Sequence, residues 1–171
     1  MKRFLLSAAA LSLTAGMASA DYTLTILHTN DFHARFEPIS KYDGPYGVED
    51  NTEGNCFGGT ARLVTAINGA KARTNNAILV DGGDQFQGTL FYTQYKGQMA
   101  AEMMNKLGYD RMTVGNHEFD DGPEVLAAFM AAVNFPVLIS NADVSAEPLL
   151  ANTLAKSTVI ERGAKRLALL V

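Results

Sequence analysis

Two spacings of apolar residues take turns along this chain. Residues 22–28, 77–80, 111–114 and 137–140 are short apolar or β-branched runs of strand length. Between them, apolar side chains recur at helical spacing. Leu63, Ile67 and Ala70 share one face, Met99, Met103 and Leu107 a second, and Val125, Phe129 and Val133 a third. Gly108 stands where a helix C-terminal cap belongs, Pro123 follows Asp121 and Gly122 at a helix start, and Phe135-Pro136 closes the third helix. The resulting order, β-α-β-α-β-α-β, predicts an α/β fold: a layered, mostly parallel sheet with helices on its faces. Residues 157–160 and 166–171 add a hairpin turning around 161–165.

Residues 38–57 follow neither period, are rich in Gly, Asp, Asn and Tyr, and read as a long functional or mobile loop. The methionines at 99, 103 and 104 sit at helical spacing and belong to the core. With 171 residues, 47% of them hydrophobic and 19% charged, the chain is long enough for a packed core and too apolar for disorder. A net charge of -4 excludes a basic surface that would track a nucleic-acid polymer and leaves small molecules as the expected partners.

Residues 1–20 carry Lys2 and Arg3, then an apolar stretch from Phe4 to Leu13, then Ala18-Ser19-Ala20. This is the layout of a secretory signal, and the apolar run is too short to span a bilayer. The mature chain is expected to begin at Asp21, to be periplasmic or secreted, and to have no stable membrane insertion. A lone cysteine, Cys56, has no internal disulfide partner and reads as a free structural thiol.

Three of the strand candidates end in residues that bind metals. In Thr29-Asn30-Asp31-Phe32-His33, a strand period of two sends Asp31 and His33 to one side and Phe32 to the other. In Asp81-Gly82-Gly83-Asp84-Gln85, paired glycines permit a tight turn that pushes Asp84 out of the sheet end. Gly115-Asn116-His117-Glu118-Phe119-Asp120 offers an amide, an imidazole and two carboxylates within one short run. Each motif alone also fits a plain surface pair or an acidic turn. Together they fall outside the carboxyl ends of the strands, where open α/β sheets bind ligands. His28, Arg62 and Asn141 are weaker candidates, explained as well by structural roles.

These motifs, with Gly58-Gly59-Thr60-Ala61-Arg62, resemble the calcineurin-like metallophosphoesterases and, within them, the 5′-nucleotidase family. The resemblance implies an exported phosphoesterase acting on nucleotides, with nucleotide sugars as a further substrate class, and two divalent ions of zinc, manganese, iron or cobalt. Asp31 and His33 would hold the first ion, Asp84 would bridge both, and Asn116 would hold the second. His117 and Asp120 would be the catalytic pair. One carboxylate offers two oxygens, so Asp84 suits cations ~3.5–4 Å apart. Relatives of the same fold that cleave cyclic nucleotides or serve sulfur oxidation, and a non-catalytic exported metal binder, are the competing expectations. The resemblance also calls for further histidines after His117 and a C-terminal substrate domain. The chain has no later histidine and ends on an apolar strand pattern. Residues 21–171 are therefore expected to be the N-terminal, incomplete part of the domain, inactive alone.

Overall fold

The computed structural model describes residues 21–170, so the expected signal at residues 1–20 lies outside the described residues. In chain order the elements are β1 (Thr25–Thr29), β2 (Ile39–Ser40), α1 (Val48–Thr52), β3 (Cys56–Phe57), α2 (Thr60–Ala72), β4 (Ala77–Asp81) and α3 (Leu90–Tyr95). Then come α4 (Gln98–Leu107), β5 (Arg111–Thr113), a 3-10 turn (His117–Phe119), α5 (Pro123–Ala132), β6 (Val137–Leu138), β7 (Ser157–Arg162) and β8 (Lys165–Leu170). The four strands predicted to form the sheet do so, in the order β1-β4-β5-β6, every neighbouring pair parallel.

The helix signals hold where they were strongest. Gly108 caps α4 in the left-handed conformation at φ 69°, and Pro123 sits in the first turn of α5. The expected loop 38–57 contains β2, α1 and β3, elements too short to leave a period in the sequence.

Register explains how the sheet is covered. Leu27 and Leu79 pair across β1 and β4, and Asp81 pairs with Met112 on β5, so these side chains share one face. That face packs on the helices: Leu79, Met112, Ile67, Met104, Leu126 and Phe129 belong to one buried cluster. Ile78 and Val80 point the other way. There the helices give way to the β7–β8 hairpin, with Ile78, Leu138 and Ile160 all buried outside the main cluster. Polar bonds fasten it. Arg162 Nε donates to the Ala77 carbonyl at 2.9 Å and pairs with Asp110, and Arg111 Nε donates to Thr158 Oγ1 at 3.1 Å. The hairpin turn is tighter than its sequence predicts, only two residues long, with Gly163 at φ 54° in the first position. A strand buried on both faces reads as one continuous apolar run, so the pattern at β4 does not reveal which kind of layer covers each side.

Candidate functional site

The three motifs meet at the carboxyl ends of β1, β4 and β5, but the geometry at the first differs from the expectation. Strand β1 stops at Thr29, and alternation does not carry Asp31 and His33 to a common side. Instead Asp31, His33 and Ala34 adopt left-handed backbone at φ 53°, 51° and 50°. Asp84 does the same at φ 55°. For residues with a Cβ this conformation costs on the order of 1 kcal/mol each, so surrounding bonds must hold it.

They do so in a ladder. The amides of Asp31, His33 and Ala34 donate to the carbonyls of Gly83, Asp84 and Gln85 at 3.0, 3.0 and 3.1 Å. The parallel pairing of β1 with β4 thus continues past the end of the sheet through two irregular loops. Phe32, between the ligand candidates, turns inward and meets Phe36 edge-on, ring centroids 5.5 Å apart. The glycines are required by space as well as by torsion. A Cβ on Gly83 would lie 2.3 Å from the Gly115 amide nitrogen, and one on Gly115 would lie 2.1 Å from Asp84 Oδ1.

Within this frame the side chains converge. One ligand atom each from His33, Asp84 and His117 lies within 4.8 Å of the other two. His33 Nδ1 lies 3.0 Å from the Phe86 carbonyl, which only accepts, so the proton belongs on Nδ1 and the Nε2 lone pair is left for a metal. That Nε2 is 3.8 Å from Asp31 Oδ1. Two electron-pair donors facing each other at this distance are an arrangement a cation satisfies. Asp84 Oδ1 accepts the His117 amide at 3.0 Å, which aims the carboxylate across to the third motif. Asn116, at the N-cap of the 3-10 turn, makes no side-chain capping bond. Carboxylate, amide and imidazole donors in this mixture suit zinc, manganese, iron or cobalt.

His117 and Asp120 also come together. His117 Nδ1 is 2.7 Å from Asp120 Oδ2, and the 3-10 turn between them gives the spacing. The Asp120 hydrogen bond raises the His117 pKa above its ordinary value, opposed by partial desolvation and aided by the charges of Asp120 and Asp84. The rings of His33 and His117 stand edge to face with centroids 5.2 Å apart. Arg62 is committed elsewhere: it donates to Asn51 Oδ1 at 2.6 Å and to the Gly58 carbonyl at 2.9 Å, and lies against the buried Cys56 thiol. His28 lies on the hairpin face of the sheet, away from the ligand candidates.

Two buried carboxylates underlie the loops. Asp81, on the helix side of β4, accepts from Thr29 Oγ1, from Gln85 Nε2 at 2.9 Å and from the Gly83 amide at 2.9 Å. Burial pushes its pKa up to about 6, against the lowering effect of those bonds. Glu118 is fully buried. In the sequence it is one of two carboxylates in the third motif, with no role of its own. The motif carries no sign of whether a carboxylate faces a metal or a set of amides.

Residues 24–166 match the calcineurin-like phosphoesterase family. The chain is 39% identical over 149 residues to an apyrase of Tabanus yao, covering 87% of this chain and 26% of that protein. It is 44% identical over 134 residues to a snake venom 5′-nucleotidase of Gloydius brevicauda, covering 78% of this chain and 21% of that protein. Among solved structures, a 5′-nucleotidase precursor from Thermus thermophilus superposes with a TM-score of 0.76 at 38% identity, covering 87% of this chain and 28% of that one. The chain thus spans about a quarter of the length of the proteins it matches.

Proposed function

The chain belongs to the calcineurin-like phosphoesterase family, and from that membership we propose that it supplies metal ligands and a catalytic histidine to an exported enzyme that removes phosphate from nucleotides. The observation that carries this reading is the convergence of His33, Asp84 and His117 to within 4.8 Å at the ends of parallel strands. Asp31 and His33 would hold one divalent ion, Asp84 would be shared between two, and Asn116 would help to hold the second. Divalent ions held there would supply Lewis acidity that activates water and offsets charge on the phosphoryl oxygens.

The remaining work falls to side chains of this chain. His33 keeps its lone pair on Nε2 because the Phe86 carbonyl holds Nδ1. His117 is placed differently, since its Nδ1 partner is a full carboxylate, Asp120. A carboxylate favours an imidazole that carries and donates a proton, so we assign His117 to the charge developing on the phosphoryl or leaving oxygen and Asp120 to its orientation. The names of the matched 5′-nucleotidases favour nucleotides as the substrate class. The signal-like residue pattern at residues 1–20 and a relative named for venom support export. Among the described residues no helix is long and apolar enough to cross a membrane.

Asp84 and Asn116 alone are fewer ligands than the three usual at a catalytic site. Residues 21–171 by themselves are therefore expected to hydrolyse AMP negligibly. The test uses protein purified from its native source. Phosphate release from AMP that stops on chelation and returns with added manganese or zinc supports the reading, and release that survives exhaustive chelation overturns it.

A further inference from the structure

The carboxylate of Glu118 lies in the interior with no surface exposure, one residue beyond His117. It does not face the ions of the proposed centre. Its Oε2 accepts the amides of Asp84 at 2.9 Å and Gly115 at 2.6 Å, and its Oε1 accepts those of Gln85 at 2.8 Å and Phe86 at 3.3 Å. Four N–H groups converge on one side chain, and only a carboxylate has acceptor sites for all of them without a competing donor. A buried carboxylate is tolerated where such charge-assisted bonds replace its water.

These bonds hold whole peptide planes. The amide of Asp84 and the carbonyl of Gly83 belong to one plane, as do the amide of Gln85 and the carbonyl of Asp84, and the amide of Phe86 and the carbonyl of Gln85. Each of these three consecutive planes gives its N–H to Glu118. Each receives, at its opposite edge, the N–H of Asp31, His33 or Ala34 in turn. A plane bonded at both edges cannot rotate without breaking two bonds, and the bonds on each edge polarise those on the other. The fourth bond, from Gly115, fixes the start of the loop that carries Asn116 and His117. One side chain therefore bonds the backbone of two candidate ligand loops directly and holds the third, at Asp31 and His33, through the peptide planes it clamps.

We propose that Glu118 is the positioning residue of the metal centre: it clamps three successive peptide planes so that Asp31, His33 and Asp84 keep the left-handed conformations from which their side chains converge. The inference rests on the metal-centre reading above and assigns Glu118 no contact with ion or substrate.

The test is cobalt(II) titration of the full chain, read by the visible absorption of the bound ion, with unfolding measured in parallel. Glu118→Gln keeps the shape but turns one oxygen into an N–H donor facing two amides. It is expected to weaken cobalt binding by about 10–100-fold and to change the absorption band, as loss of an outer-shell partner does. Ile160→Ala serves as the control, since it removes packing under the hairpin, outside the cluster that contains Phe86, and is expected to lower stability while the folded fraction keeps wild-type cobalt affinity and spectrum. Should Glu118→Gln fail to fold, Glu118→Asp, which keeps the charge but falls a methylene short, is read in the same way. Wild-type affinity and spectrum in a folded Glu118 variant would overturn this inference alone. Failure of the wild-type chain to bind cobalt would overturn the metal-centre reading and this inference with it.

Discussion

The helical core and the strand-end loops lie side by side but are stabilised in opposite ways. Around α4 and α5, Met104, Leu126 and Phe129 are buried, and Phe129 meets Phe86 edge to face with centroids 5.3 Å apart. Apolar packing of this kind is spread over many weak contacts, and no single one fixes the structure. The loops that carry Asp31, His33 and Asp84 send Phe32, Ala34 and Phe86 into the core but hold the ligand candidates themselves in left-handed backbone. They are held by a few directional bonds to Glu118, Asp81 and one another. The difference teaches where damage should register: loss of packing should appear in stability, and loss of a loop bond or ligand in metal binding.

The largest expected effect lies at the shared ligand. Asp84→Ala removes the carboxylate proposed to bridge two ions and is expected to abolish metal loading while the fold survives. Elemental analysis of the full-length protein checks this, and two ions retained per chain would remove Asp84 from the bridging role. Next is the core. Leu138→Ala, on the hairpin face of the sheet, should cost about 2–5 kcal/mol of unfolding free energy by denaturant titration, with metal affinity of the folded fraction intact. A matching loss of metal affinity would break the division between core and loops.

Asp81 offers a pH-dependent version of the same comparison. Its folded-state pKa is raised to about 6 from 3.8. A raised folded value means that this group contributes stability fully below the unfolded value and loses it as pH rises through the folded one. The loss amounts to up to about 3 kcal/mol at 1.36 kcal/mol per unit. Urea unfolding of wild type and Asp81→Asn should therefore show the wild type losing ground to the variant as pH rises between those two values. A pH-independent difference would show that Asp81 is not titrating there. The smallest effect is expected at the hairpin, far from the ligands. Gly163→Ala puts a Cβ at φ 54° and 2.8 Å from Asn76 Oδ1, so it should cost about 1 kcal/mol and leave metal binding unchanged.

The four strands of the parallel sheet, the three long helices and the C-terminal cap at Gly108 were legible in the sequence, because each is written in residues a few positions apart. So were His33, Asp84 and His117, which the structure brings together at the strand ends, since metal-binding residue types after strand-like runs are a local pattern. The short elements β2, α1 and β3 left no trace, because none is long enough for a period to repeat. The route by which Asp31 and His33 converge was misread for a related reason. Residues two apart on an extended strand and residues two apart in left-handed turns have the same sequence spacing, and only the backbone torsions separate them.

The sequence alone determined the α/β layering and the chemistry available at the strand ends. Tertiary structure decided which residues use that chemistry and which support it. Glu118 lies 3 positions from Gly115, a local bond, but 34 from Asp84, and its bonds to residues 84–86 exist only because β4 and β5 are neighbours. The same holds for the hairpin that covers Ile78, which no periodicity in β4 could distinguish from a helix. Spacing along the chain encodes which face a side chain takes. Which distant amide or apolar patch that face meets depends on how the layers close.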